Sequence, residues 1–393
     1  MSITGLPTED ARIVDARVRI LRAPTQDGIA MSFASLAHRS MVLVEVEVAG
    51  GLVGYGESWV NYPPWADRER VATLRHGVFP LLLDEDARRI THLHHKLVTA
   101  LEPIGRQWGA PGPIMQAISA VDTALWDLRG RASGQAISWM AGGRVRDEVP
   151  VYASSLGPER VGEQGARCRA GGHTAVKVRV GFGRERDETI LAGARAACGD
   201  DLALYADANQ GWSLDEAIAM APVLRAYGVA WVEEPVRGNQ LADLEQFHHH
   251  TGLTIATGEN IYRRQGFWPY ANSPAVGILQ PDIAKTGGLT ETLAVCQLAQ
   301  ATGTRVLPHL YGGAVAFAAT LQLAGCQPVV DAIEYDVRDN PLRDPLLTAP
   351  PQPVEGRIPI PDGPGLGLEL DATAVAAYCN TNTNADVAKE ATP

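Results

Sequence analysis

The sequence predicts a mixed α/β fold: a C-terminal (β/α)8-type barrel of modified TIM form with an N-terminal α+β capping domain. Three observations predict it. First, Asp207, Glu233, Glu259, Asp282, His309 and Glu334 follow one another at intervals of 26, 26, 23, 27 and 25 residues, each at or near the end of a short apolar run. Second, the runs LALYAD, VAWVEE, TIATGE, VGILQPD, RVLPH and DAIEY are too short for helices and apolar enough for buried parallel strands. A strand, a helix and two turns take about this interval, and stepping back by it reaches Arg179 in AVKVRV and Ser154 in VYASS. Eight strand ends then fall between residues 150 and 334, enough to close a barrel whose mouth gathers them. Third, 393 residues exceed one ordinary barrel of roughly 250, which leaves about 130 to 150 for a second, mainly N-terminal, folded region.

Taken in order, residues 13–22 and 41–49 read as antiparallel strands. The second, MVLVEVEVA, alternates with the period of a half-buried sheet, and a third strand ends near Glu57. Two aromatic and polar segments, about 24–40 and 57–66, read as flexible lid loops over the barrel mouth. Met31, Phe33, His38, Arg39, Trp59, Asn61, Tyr62 and Trp65 are their candidate substrate contacts, with His38 or Arg39 placed to meet a second carboxylate and the aromatics a sugar face. Residues 66–104 read as helical. PGPIMQAISAVDTALWDLRGRASG is an amphipathic helix with Pro113 near its start and Gly134 past its end. The expected division is a cap over 1–135, a barrel over 136–350, and a segment over 351–393 that packs back on the cap, its last dozen residues frayed.

Composition narrows the function classes. A hydrophobic content of 46% supports a large core, and no apolar run approaches the ~18 residues of a membrane span. The opening residues carry no secretory pattern, so a soluble cytoplasmic protein without a membrane partner is expected. Five scattered cysteines without CxxC pairs argue against a disulfide framework or zinc site, and a net charge of −11 disfavours nucleic acid. The histidines at 92, 94, 95 and 248–250 lie in helical segments away from strand ends and read as solvated or interfacial, and PDGPGLG reads as a turn.

The chemistry is concentrated at the strand ends. Asp207, Glu233 and Glu259 on three consecutive strands repel one another unless a cation compensates. All-oxygen ligands select a hard ion, Mg2+ first and Mn2+ next, with Asn209 and Asn260 beside them as supporting donors. In AVKVRV the strand period points Lys177 and Arg179 into the barrel and the valines onto the helices, and buried cations there need carboxylates. Asp282 and His309 end adjacent strands, where an aspartate holds a histidine's tautomer for proton uptake. Glu334 completes the ring as a hydrogen-bond donor or acceptor toward a developing oxyanion. A divalent cation chelating a substrate carboxylate acidifies the α-proton, and a flanking histidine removes it.

These residues sit in motifs that resemble the enolase superfamily, and within it the mandelate racemase branch. The motifs are VKVRV, YADANQGW, WVEEP, TGEN, LQPDIAKTGG, LPHL and IEYD on strands two to eight, with AVDTALWDLRG in the helix leading into the barrel. The resemblance runs from the N-terminal sheet to PDGPGLG. It implies Mg2+ on Asp207, Glu233 and Glu259, a His309–Asp282 dyad, Glu334 near the substrate carboxylate, and a homo-oligomer. The muconate-lactonising branch instead places a catalytic lysine where this chain has Asp282. One departure matters: the second lysine of the usual Lys-x-Lys pair is Arg179, a poor base near neutrality. With His309 as the one well-placed base, β-elimination from a sugar acid or other β-hydroxy acid is the expected reaction. A racemase or epimerase is the alternative, and a barrel that binds metal and anion without turnover the remote one.

Overall fold

The computed structural model describes residue 7 and residues 9–379, so the end expected to fray, residues 380–393, lies outside the described residues. Strands β1 (Ile13–Ala30), β2 (Ser35–Val48) and β3 (Val53–Ser58) form an antiparallel sheet in that order. The alternation of β2 sends Val42, Val44, Val46 and Val48 into the core of the cap, while Met41 and Leu43 join the core shared with the barrel. Between them Glu45 is held by Arg17 and Arg19. The segment expected as a flexible lid loop is a continuation of this ribbon: Ala23 pairs with Arg39, Pro24 with His38, Ile29 with Leu36 and Ala30 with Ser35. Backbone pairing orders a stretch whose Pro and Gly content reads as loop.

The cap helices are α1 (Ala66–Ala72), α2 (Ile90–Trp108) and α3 (Pro111–Ser133). The continuous helical stretch expected over 66–104 is interrupted. After a tightened turn at Phe79–Leu81 the chain pairs with the start of β1, where Ile13 N–H donates to Glu85 O at 2.8 Å and Asp84 N–H to Ile13 O at 3.0 Å. Helix α3 runs from Pro111 to its left-handed cap at Gly134, as its sequence dictates. It lies so close to β3 that a Cβ at Gly56 would stand 1.7 Å from Ala120 O, and one at Gly54 2.2 Å from Ala124 O, so only glycine fits.

After the short α4 (Ile137–Met140), eight parallel strands follow: β4 (Glu148–Leu156), β5 (Ala175–Arg179), β6 (Ala203–Asp207), β7 (Val229–Glu233), β8 (Ile255–Thr257), β9 (Val276–Leu279), β10 (Arg305–Val306) and β11 (Ile333–Asp336). β11 pairs with β4, and a parallel bridge between Val306 and Val330 closes the remaining side. Among the described residues seven helices fill the connections: α5 (Val161–Ala170), α6 (Arg184–Cys198), α7 (Leu214–Ala226), α8 (Leu241–Thr251), α9 (Arg263–Ala271), α10 (Gly288–Thr302) and α11 (Ala314–Cys326). Past β11 no eighth barrel helix follows among the described residues. The chain instead forms β12 (Arg357–Pro359), antiparallel to β4, and α12 (Ala372–Tyr378), which lies against β1. The four cysteines on helices are buried free thiols, and among the described residues no helix is long and apolar enough to cross a membrane.

Helix α3 ties cap to barrel through AVDTALWDLRG. Asp122 accepts from Thr290 N–H at 2.9 Å and Thr290 Oγ1 at 2.6 Å, and Ser119 Oγ accepts from Gly287 N–H at 2.9 Å. His94 packs in the same seam against Gly287 O at 3.1 Å. A second tie runs from β3 to the start of α11, where Glu57 accepts from Gly313 N–H at 2.6 Å and Ala316 N–H at 2.8 Å. Burial pushes the Glu57 carboxyl up to about 7 although those N–H groups oppose the shift. The folded protein therefore binds this proton more tightly than the unfolded chain. The contribution is fully present below the ordinary carboxyl value of 4.5 and is lost as pH rises through about 7. Between pH 5 and pH 8, wild type is expected to lose about 2 kcal/mol more unfolding free energy than Glu57→Gln, read by urea titration. Parallel losses would contradict this.

Candidate active site

The strand register delivers the polar residues to one mouth: Arg179 pairs with Asp207, Asp207 with Glu233, and Asp336 with Ser154 across neighbouring strands. Val176, Val178 and Val180 turn outward onto the barrel helices, and Lys177 and Arg179 turn inward. The mouth opens into a cavity of about 410 Å³ whose cap side is Met31, Phe33, Trp59 and Tyr62. Inside the barrel Tyr205 and Trp231 stack at 4.3 Å, and Lys177 Nζ lies 5.8 Å from the centre of the Tyr152 ring.

Lys177 Nζ stands 2.7 Å from Glu233 Oε2, 2.8 Å from Glu334 Oε1 and 3.8 Å from Asp207 Oδ2. Burial lowers the affinity of Lys177 for its proton, but Glu233 and Glu334 outweigh this and hold it well above the ordinary lysine value. As arranged it is an ammonium held by two carboxylates, a group suited to facing an oxyanion. Burial raises the Glu334 carboxyl, Lys177 and His309 reverse that, and the net value is low. Ser154 Oγ donates to its Oε1 and Leu310 N–H to its Oε2 at 3.0 Å. Glu334 is thus an acceptor that orients Lys177 rather than a donor to an oxyanion.

On the opposite wall Asp282 Oδ2 lies 2.7 Å from His309 Nδ1, and Glu259 Oε2 lies 3.1 Å from Nε2. Burial pulls the imidazole down, yet Glu259 and Asp282 push it up to about 10. As arranged, His309 is an imidazolium; it returns toward the range of a base when the charge of Glu259 is taken up by a cation.

The donor set fits a hard divalent ion. Glu233 is fully buried, and its Oε1 has no hydrogen-bond partner. Asp207 is braced from behind by Asn209, whose N–H and Nδ2 each donate at 2.9 Å. Asn260 Nδ2 donates to Glu259 Oε1 at 3.1 Å and to Glu234 Oε1 at 3.2 Å. Burial first, then neighbouring negative charge, raises Asp207 and Glu233, which marks a cluster short of positive charge. Among the described residues no three such side chains are drawn to metal-ligand spacing; Lys177 lies between Asp207 and Glu233, and Lys285 lies 3.6 Å from Glu259.

Arg179 occupies the face across from His309. Its guanidinium donates to Ala30 O at 3.1 Å, Met31 Sδ at 2.9 Å and Ser155 Oγ at 3.4 Å, and lies 5.3 Å from the centre of the Tyr311 ring. Among the described residues no carboxylate stands within ion-pair distance of it. Four expected lid contacts are elsewhere. Arg39 is buried in an ion pair with Asp336, and His38 faces solvent outside the cavity lining. Successive ribbon residues face opposite ways, and neither side here is the mouth. Asn61 is buried and donates to Tyr311 O, and Trp65 is exposed. Trp59, Tyr62, Asn209 and Asn260 do line the cavity.

The sequence reading missed Lys285, Gln280, Glu234 and Tyr311. Gln280 Nε2 donates to Glu233 Oε2 at 2.7 Å, and Lys285 Nζ to Asn260 Oδ1 at 2.8 Å. A lysine three residues past Asp282, in QPDIAKTGG, was the available signal.

A barrel mouth with an acid cluster, a buried ammonium and a His–Asp pair has the make-up of an enzyme's acid–base site. The chain matches the mandelate racemase / muconate lactonizing enzyme N-terminal domain over residues 13–142 and the enolase C-terminal domain-like family over residues 160–374. It belongs to the mandelate racemase branch of the enolase superfamily. It is 34% identical over 353 residues to D-galactarolactone cycloisomerase of Agrobacterium fabrum, covering 86% of this chain and 90% of that protein. Arabinonate dehydratase of Saccharolobus solfataricus is 31% identical over 343 residues, covering 85% and 90%. Among solved structures, a racemase from Streptomyces coelicolor with bound magnesium superposes with a TM-score of 0.84 at 25% identity, covering 93% of this chain and 99% of that one.

Proposed function

We propose that the protein removes the proton α to a substrate carboxylate with His309 and eliminates the β-hydroxyl as water, a dehydratase of a sugar acid or other β-hydroxy acid that yields a 2-keto acid after tautomerisation. The observation that carries this reading is the asymmetry of the cavity: the Asp282–His309 pair on one face, and on the other only Arg179, whose burial-opposed but still raised affinity for its proton rules it out as a base. Racemisation needs acceptors on both faces, and Lys177 is fixed as an ammonium by two carboxylates.

Asp207, Glu233 and Glu259 are the residues to hold Mg2+, with Mn2+ as the alternative. When bound, it supplies positive charge to the substrate carboxylate as negative charge develops there. Asp282 fixes the His309 tautomer. Lys177, aligned by Glu334, donates toward the carboxylate, Arg179 presents charge to the far face, and Trp59, Tyr62 and Phe33 close the cavity against water. Residues 1–135 would serve as cap and 136–350 as catalytic barrel, and the described part of the segment that follows returns to the cap through α12. The partner is a small carboxylate, with no nucleic acid or membrane, and the protein is a cytoplasmic homo-oligomer.

The likeness to D-galactarolactone cycloisomerase favours a second reading, in which the departing oxygen stays tethered in the substrate and an isomer forms without loss of water. Arg179 tests both against a racemase. Arg179→Lys places a group able to take a proton on the second face and is expected to raise α-inversion in D2O at least tenfold over wild type while lowering elimination. Inversion by wild type itself would sink the one-base reading.

A further inference from the structure

We propose that Lys285 is the proton donor to the oxygen leaving the β-carbon, beside His309, which takes the α-proton; this rests on the elimination reading above. Lys285 follows β9 in a turn, is 1% exposed and contributes to the cavity lining. A buried ammonium is costly unless paired. Its partners are Asn260 Oδ1 at 2.8 Å, Glu259 Oε1 at 3.6 Å and the face of Trp59, with Nζ 4.4 Å from the ring centre. Lys285 and His309 thus engage the two oxygens of one carboxylate, Glu259, which sets a proton donor next to the proton acceptor on a single wall.

Three other proton carriers around the cavity are committed. Lys177 is clasped between Glu233 and Glu334, Arg179 does not release its proton, and Tyr62 Oη is turned to Met31 Sδ at 3.2 Å. Hydroxide is a poor leaving group, and an ammonium that donates to a neutral amide keeps transferable protons for it. The Cα–H bond breaks with its proton passing to His309, the electron pair forms the carbon–carbon double bond, and the Cβ–O bond breaks as the oxygen takes a proton from Lys285 Nζ and departs as water. The resulting enol ketonises by moving its hydroxyl proton, through solvent, to the β-carbon. His309 then returns its proton to solvent and Lys285 recovers one, so one water is released and no oxidant or reductant is consumed.

Lys285→Arg keeps the charge without a transferable proton, and Lys285→Met removes both. With the hydroxy acid that wild type converts best, both variants are expected to lose keto-acid formation at least about 100-fold. α-Deuteration in D2O and fluoride release from the β-fluoro analogue of the same acid should stay within about threefold, since fluoride leaves without a proton. Calorimetric Mn2+ binding in the variants, also expected within about threefold, reports the Glu259 end of the site independently. Recovery of water loss in Lys285→Arg, a parallel fall of water and fluoride loss, or loss of Mn2+ binding would each assign Lys285 to charge or folding and overturn the inference. Failure of the elimination reading is distinguishable, because wild type itself would then release no keto acid from any hydroxy acid.

Discussion

Replacing His309 by Asn removes α-proton exchange and keto-acid formation together, by a factor of about 10² to 10⁴ at saturating Mg2+. On the proposed reading His309 is the acceptor: its Nδ1 is committed to Asp282 at 2.7 Å, and its Nε2, 3.1 Å from Glu259 Oε2, would face the substrate once a cation takes up that carboxylate. Asn preserves polarity and approximate volume, so substrate affinity should change by only a few fold. Asp282→Asn, which leaves the imidazole in place but no longer fixes its tautomer, is expected to fall in the same range. Deuterium incorporation followed by proton NMR reads both variants. Exchange at wild-type rate in His309→Asn would mean that the α-proton leaves by the other face.

Removing divalent cations is expected to produce the second large effect. Asp207, Glu233 and Glu259 are brought to adjacent strand ends, and Glu233 Oε1 is left buried without a partner. Dialysis against a chelator is expected to abolish exchange, and Mg2+ or Mn2+ to restore it, as an all-oxygen donor set requires. Glu233→Gln keeps the contacts to Lys177 and Gln280 possible but removes one negative charge, so Mn2+ affinity measured by calorimetry should fall at least tenfold. Full activity in excess chelator, or unchanged affinity in Glu233→Gln, would contradict the assignment.

Much of this site was legible because barrel strands end on a regular period. An apolar run followed by Asp, Glu or His at nearly constant spacing marks β6, β7, β9, β10 and β11 without knowledge of their contacts. What escaped lies off that period or depends on partners remote in sequence. Lys285 sits in a turn rather than at a strand end, and its partners Trp59 and Glu259 come from the cap and the preceding strand's loop. Arg39 looked available because its partner, Asp336, is 297 residues away. The ribbon over residues 23–39 lacks the alternating apolar face of a half-buried strand, so its pairing is invisible until both arms are seen together. Residues 82–89 leave the helical path because β1 offers backbone partners there, a tertiary preference that no local pattern carries.

The central claim is that this cavity abstracts an α-proton on one face and expels the β-oxygen. The direct measurement incubates the Mg2+-loaded protein in D2O with a panel of mono- and diacid sugars that includes arabinonate and galactarolactone. Keto acid is read by semicarbazide and α-deuterium by NMR in the same samples. The account predicts keto acid from one configuration of substrate, without inverted starting material. Deuterium uptake with inversion and no keto acid would contradict it and show a second base opposite His309.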